Sequence, residues 1–308
     1  MEIVEVSEQE YNTLLSPAHV FNTSGFNSLN ADKADNVKFL IFRDSKVRMG
    51  LILGIKGATA KSPFSAPFGG FSLAGSPSLE QLDEAVDALK SWITGNLLTE
   101  LVITPPPLLY DPSVLSKMTN VLYRKGFVQK NMDLNYALDL ETELPYASLL
   151  RKNARKNLNN ALANKLALRV CTTPDEQEAA YRVIAANRAA KGYPLRMTWQ
   201  QMLSTTKIIE ADFFLVTKDD AAVAAAIVFA VTDNIMQVIY WGDMVEYSHL
   251  RPVNFLACQL FEHYRNAGKK VLDIGPSTED SLPNYGLCDF KESIGCEVSI
   301  KPSYIWSV

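Results

Sequence analysis

The sequence of 308 residues has little cysteine, little histidine and no long apolar run. No stretch reaches the roughly 20 apolar residues of a membrane-spanning helix, so no span is expected. The amino-terminal MEIVEVSEQEY is acidic and lacks a basic segment leading into an apolar core, so no signal peptide is expected. Cys171, Cys258, Cys288 and Cys296 show no metal-type spacing. Cys288 and Cys296 lie near Lys291, but without a histidine pair they give no reason to expect a metal. His19, His249 and His263 build no Ser-His-Asp or Cys-His pattern, so no covalent nucleophile is expected. Cys258 sits in an apolar helical pattern, as buried free thiols do, and a reducing, cytoplasmic setting fits. A net charge of −4 and a pI near 5.5 argue against a general nucleic-acid binder and leave room for a local basic patch.

What is present reads as a soluble globular chain long enough for two domains, 47% hydrophobic and 21% charged. It contains a repeat. The segments KFLIFRDSKVRMGLILGI, from Lys38, and FFLVTKDDAAVAAAIVFAV, from Phe213, are both a strand, a charged turn and a longer strand. Each half then offers an amphipathic helix. In the first, Leu79, Leu82, Val86, Leu89, Trp92 and Ile93 recur at helical spacing behind a Ser78–Gln81 capping box. In the second, the helix runs from Pro252 to Ala267 and stops at Gly268. Each half continues with a strand: Leu101 to Thr104 before three prolines, and Val271 to Ile274 before Gly275-Pro276. A short helix ending in glycine and a closing strand follow in both. Two copies of one supersecondary unit are expected, with a seam near Glu141 to Tyr146.

The second copy is preceded by three helical patterns. The first, Ala147 to Lys165, has an apolar stripe and a basic face of Arg151, Lys152, Arg155 and Lys156, with no acid in the segment. That face is a candidate for a phosphate-bearing partner, against the ordinary meaning of a charge run as a solvated face. The second starts at a Thr173–Glu176 capping box with Pro174 and stops at Gly192; the third runs from Thr198 towards Glu210.

Four segments together resemble the Fem-type aminoacyltransferases, relatives of the GNAT acyltransferases. They are LLRKNARKNLNNAL, Trp241-Gly242 followed by Arg251-Pro252-Val253-Asn254-Phe255-Leu256, Asp273-Ile274-Gly275, and Asp289-Phe290-Lys291-Glu292-Ser293-Ile294-Gly295. The resemblance implies an α/β fold of two tandem GNAT-like units, each a mixed central sheet flanked by helices. The first unit, 1–141, is expected to be degenerate or substrate-orienting; the second, 142–308, to carry the active cleft. The implied reaction is acyl or aminoacyl transfer to an amine, with an aminoacyl-tRNA as donor and a cell-wall (peptidoglycan) precursor as acceptor. Two alternatives stay open: a CoA-dependent N-acetyltransferase acting on a small metabolite, and a binding protein that keeps the fold without the chemistry. Acetyl-CoA or another acyl-CoA needs a pyrophosphate loop before the helix at Pro252, and Met244 to Arg251 has no glycine there and carries Glu246.

The resemblance puts Lys291 where a lysine is thought to stabilise charge developing on the donor; the alternative is a solvated lysine paired with Glu292 or Asp289. Asp273 is a candidate for orienting the amine or for capping the next turn. Tyr240, Trp241, Tyr285 and Phe290 are candidates to line the substrate cleft, against a plain core role. Arg196, on the loop after Gly192-Tyr193-Pro194, is a candidate to join the basic face. Ser65 to Phe71, with Gly69 and Gly70, is either a bulge at the sheet or a substrate groove of the first unit.

Overall fold

A computed structural model describes residues 1–308. The chain divides into two compact units, one of Met1–Leu134 with Ser299–Val308 and the other of Asn135–Val298.

The first unit runs β1 (Glu2–Val6), α1 (Glu8–Leu14), α2 (Ser24–Leu29), β2 (Asn36–Arg43), β3 (Val47–Lys56), β4 (Thr59–Ser62), β5 (Phe71–Leu73), α3 (Leu79–Gly95), β6 (Glu100–Ile103), α4 (Pro112–Arg124) and the start of β7 (Val128–Asp139). Its sheet is mixed: β1, β2, β3 and β4 pair antiparallel in that order, and β4 pairs parallel with β6. The expected Ser78–Gln81 capping box is formed at α3. Leu82, Val86, Leu89 and Ile93 on one face of α3 are buried with Leu51, Leu53, Leu101 and Ile103 of the sheet. Each such side chain contributes about 1.5–3 kcal/mol relative to exposure. The Gly69-Gly70 segment is a tight loop, where Gly69 N donates to Thr104 O and Gly70 N to Ser62 Oγ.

The second unit runs from the end of β7 through α5 (Tyr146–Leu149), α6 (Lys152–Ala163), β8 (Ala167–Val170), α7 (Pro174–Lys191), α8 (Trp199–Thr205), β9 (Ala211–Lys218), β10 (Ala221–Ala230), β11 (Ile235–Asp243), α9 (Pro252–Asn266), β12 (Val271–Pro276), β13 (Thr278–Glu279), β14 (Leu282–Pro283), α10 (Tyr285–Ser293) and the start of β15 (Glu297–Ser307). Its sheet order is β8-β9-β10-β11-β12-β7. β11 and β12 are parallel and the other neighbours antiparallel. Both units are thus mixed sheets flanked by helices.

Two expectations need correction. The helix Ala147 to Lys165 is broken into α5 and α6. Leu150 and Arg151 between them are extended, and Arg151 N donates to Ser293 O at 3.0 Å. That backbone bond to α10 holds the residue out of the helix. A cut at Glu141 also misplaces two strands. Asn135–Asp139 of β7 pairs with β12, inside the second unit, while Tyr304–Ser307 of β15 pairs with β6, inside the first. Each unit is therefore closed by a strand contiguous with the other unit's sequence. The parallel pair in each sheet offers an open edge beside β6 or β12, and an antiparallel strand fills it.

Tyr304 anchors this closure. Its ring is 6% exposed in the first core, and its hydroxyl donates to Thr119 Oγ1 at 3.3 Å. Tyr304→Ala is expected to cost about 3–5 kcal/mol, the range for deleting a buried aromatic, measured by urea unfolding.

Candidate functional site

The site begins where a strand ladder stops. β11 and β12 pair only from Ile235 with Val271 to Gln237 with Asp273, although β11 continues to Asp243 and β12 to Pro276. Beyond that rung the two strands part. At the same place β12 carries a bulge: Asp273 faces Ala137 and Gly275 faces Tyr136, leaving Ile274 over. Gly275 takes φ +77, a left-handed conformation suited to glycine.

A fork in a sheet leaves backbone carbonyls without a ladder partner, and buried carbonyls need donors. Lys291 supplies them. Its ammonium donates to Ile274 O at 3.0 Å, Gly275 O at 2.8 Å and Pro276 O at 3.0 Å, using all three of its N–H groups. The side chain is 2% exposed and its nitrogen lies 5.5 Å from the centre of the Tyr136 ring. Burial pulls this ammonium from the ordinary lysine value of 10.5 down to about 8; Arg188 pulls the same way, and Cys296, Asp273 and Cys288 pull against it. The Cys296 thiol is itself pushed up to about 12, chiefly by burial.

Lys291 is thus no solvated surface residue, and it does not pair with Glu292 or Asp289. Those carboxylates hold Arg151, at 2.6 Å and 3.1 Å, and so fasten the start of α6 to α10. Asn284 caps α10 by accepting from Leu287 N, so the helix begins four residues before Asp289 and carries Lys291 into the fork.

Asp273 is fully buried at the base of the fork. Its Oδ1 accepts from Asn135 Nδ2 at 2.7 Å and from Gly275 N at 2.8 Å, and its Oδ2 accepts from Gln237 Nε2 at 2.8 Å. The contact with Gly275 N caps the turn that follows. Asn135 Oδ1 and Gln237 Oε1 are buried without a protein partner. An orphaned buried carbonyl costs about 1–3 kcal/mol, so the carboxylate's need for donors sets the orientation of both amides.

The other lip of the fork is β11. Tyr240 and Trp241 alternate across the strand. Trp241 packs edge-on to Phe290, with ring centres 6.0 Å apart, and both join the core under α9. Tyr240, 7% exposed, faces α7 instead, where the Arg188 guanidinium lies 5.2 Å from its ring and 5.8 Å from that of Tyr193. No side chain or backbone group hydrogen-bonds that guanidinium, and no carboxylate pairs with it. Sequence inspection did not single out Arg188, because an arginine near a helix end is ordinary; its stacking partners come from 52 and 5 residues away. Asn187 beside it crosses Gly242, where a Cβ would lie 2.5 Å from its side chain, and donates to Asp243 O at 2.7 Å. Gly242 therefore lets α7 close on β11 and brings Arg188 to the fork.

The remaining candidates scatter. Arg196 pairs with Glu279 at 2.8 Å, both exposed, and lies apart from the α6 basic face. Tyr285 is 79% exposed on α10 and lines no cleft. Lys152, Arg155 and Lys156 are exposed on the first turns of α6; Arg155 donates to Ala147 O at 2.9 Å. Before α9, residues Val245–Leu250 form a 3-10 helix, and the α9 N-terminus has no side-chain cap. No group of three or more His, Cys, Asp and Glu residues is arranged to hold a metal ion.

Residues 148–292 match the family model of the acetyltransferase (GNAT) domain. The second unit has the GNAT fold. The match spans the elements that build the fork, from α5 to α10. The whole chain has the tandem GNAT fold. FemX is 12% identical, with a TM-score of 0.73 over 100% of this chain and 98% of that one. L-PGS from Bacillus licheniformis is 11% identical, with a TM-score of 0.63 over 96% of this chain and 90% of that one. A tandem GNAT protein from the clavulanic acid biosynthesis pathway is 12% identical, with a TM-score of 0.54 over 99% and 98%. No curated protein matches the sequence. Acyl transfer is the chemistry of the GNAT family, and no helix of this chain is long and apolar enough to cross a membrane.

Lys291→Met leaves three carbonyls without donors and Asp273 without its nearby cation, at an expected cost of about 3–5 kcal/mol in urea unfolding. Lys291 binds its proton less tightly folded than unfolded, so the unfolded chain holds more protons between pH 8 and 10.5. The wild type should accordingly gain stability relative to Lys291→Met as pH rises through that window.

Proposed function

We propose that the GNAT domain of this chain transfers an acyl or aminoacyl group to an amine in the Fem manner, with an aminoacyl-tRNA as donor and a cell-wall precursor as acceptor. The observation that carries the reading is the ammonium of Lys291, buried at the fork between β11 and β12 and held at its rim by Pro276 O. The amine nitrogen attacks the ester carbonyl of the donor, the C–N bond forms, and negative charge develops on the carbonyl oxygen. Lys291 exchanges its outermost bond, to Pro276 O, for that oxygen and keeps the two inner ones. The C–O bond to the tRNA then breaks, and the proton lost by the amine ends on the leaving hydroxyl. Arg188, stacked between Tyr193 and Tyr240 with no anion of its own, holds an anionic group of the acceptor on the opposite lip. Lys152 and Lys156, exposed and unpaired on an acid-free helix, meet the phosphates of the tRNA. The first unit serves to orient substrate.

A CoA-dependent transfer is the second reading, favoured by the uncapped N-terminus of α9. Against it, the segment before α9 is a 3-10 helix bearing Glu246, with no glycine turn to wrap a pyrophosphate.

The two readings separate in one experiment. The thermal midpoint is expected to rise with aminoacyl-tRNA and not with acetyl-CoA. Lys152→Glu with Lys156→Glu should weaken tRNA binding and flatten its salt dependence. A rise with acetyl-CoA alone would reverse the assignment, and a rise with neither would leave the fold without this chemistry. Where transfer is measured, Lys291→Ala should lower the rate by about 100-fold or more, as loss of an oxyanion donor does. The wild-type rate should fall as pH rises through about 8, where Lys291 loses its proton.

A further inference from the structure

The peptide group between Ile274 and Gly275 is bonded at both ends to an ionisable side chain. Its carbonyl oxygen, Ile274 O, accepts from Lys291 Nζ at 3.0 Å, and its N–H, on Gly275, donates to Asp273 Oδ1 at 2.8 Å. From this geometry we infer that Asp273 is a positioning residue, coupled to Lys291 through that one peptide group, and that it keeps the lysine a cation aimed along the fork. The inference rests on the reading of Lys291 as the group that takes up charge.

Three features support it. The peptide dipole is aligned for both partners, with its negative end on the ammonium and its positive end on the carboxylate, and each bond polarises the other. The alignment depends on the bulge: Ile274 is the extra residue of β12, and Gly275 at φ +77 turns the N–H back onto the side chain two residues before it. A regular strand would turn both groups of this peptide to its neighbours. The carboxylate is also fixed from behind. Asn135 and Gln237 come from the strands on either side of β12 and each donates to one of its oxygens, so it cannot swing away from Gly275 N.

The other groups facing Lys291 do not supply this charge. Cys296, just before β15, has its thiol pushed up to about 12 by burial and stays neutral. Cys288, on the same helix, has its sulfur 3.7 Å from Ser277 O. Tyr136, from β7, presents its ring face, and Arg188, from α7, repels. Glu292 is engaged by Arg151. Asp273 is the one buried carboxylate in the cluster.

The test uses the full chain labelled with 15N in lysine side chains and in glycine amides, titrated from pH 6 to 11 by NMR. A Lys291→Arg variant assigns the lysine signal. In the wild type the Gly275 amide is expected to shift with the same midpoint as Lys291 Nζ. In Asp273→Asn, which keeps an oxygen for Gly275 N and loses the charge, the Lys291 midpoint should fall by about one pH unit or more. An unchanged midpoint in that variant, or a Gly275 amide that stays still while Lys291 titrates, overturns the proposal. If Asp273→Asn does not fold, the wild-type titration decides alone. No substrate enters the measurement, so coupling without any detectable transfer leaves this inference standing and removes the reaction; silent Gly275 with active transfer does the reverse.

Discussion

The second unit is organised around one requirement: backbone carbonyls exposed by a parting ladder, deep in a protein, must be given donors. β11 and β12 separate after Gln237 and Asp273, which leaves the carbonyls of Ile274 and Gly275 buried and that of Pro276 at the rim. Three N–H groups on one ammonium meet all three. Almost everything nearby follows. The bulge at Ile274 turns a carbonyl towards the lysine. The Asn284 cap starts α10 early enough to deliver Lys291, and Arg151 fastens the outer face of that helix. A charge buried so completely is costly, and Asp273 with its fixed donors offsets part of that cost.

The reactivity proposed for the site draws on the same source. A lysine in water would be a hydrated point charge of little use to a developing oxyanion. Here it is desolvated, held by three backbone carbonyls, and opposed by Arg188 across the fork. The ammonium is fully satisfied at rest, so in the proposed transfer stabilising a substrate oxygen means exchanging one carbonyl for another. Such an exchange requires little reorganisation, because the incoming oxygen resembles the outgoing one.

The fold was legible in sequence where local signals are strong. The Ser78 and Thr173 capping boxes, Pro174, Gly192 and the strand–turn–strand repeats all mark elements that form. The break at Leu150 was not legible, since its cause is a bond from Arg151 N to Ser293 O, 142 residues away. The closing strands defeat sequence reading for a similar reason: the pattern of β7 or β15 shows that it is a strand, but not whose edge it fills. At the site, Lys291 and Asp273 stood out through a short motif, while their burial and their bridge through a peptide group did not. Arg188 went unnoticed because its meaning lies in Tyr193 and Tyr240 stacked around it. Arg151 stood out for its charge, yet it spends that charge on Asp289 and Glu292 and not on a partner.

The closing strand of the first unit has a consequence in time. Residues 299–308 leave the ribosome after every residue of the second unit. The first sheet, although translated first, waits with the edge of β6 open until then, whereas the second unit already has Asn135–Asp139 behind it when its own strands emerge. The half of the molecule that carries the fork is therefore the half that can finish first.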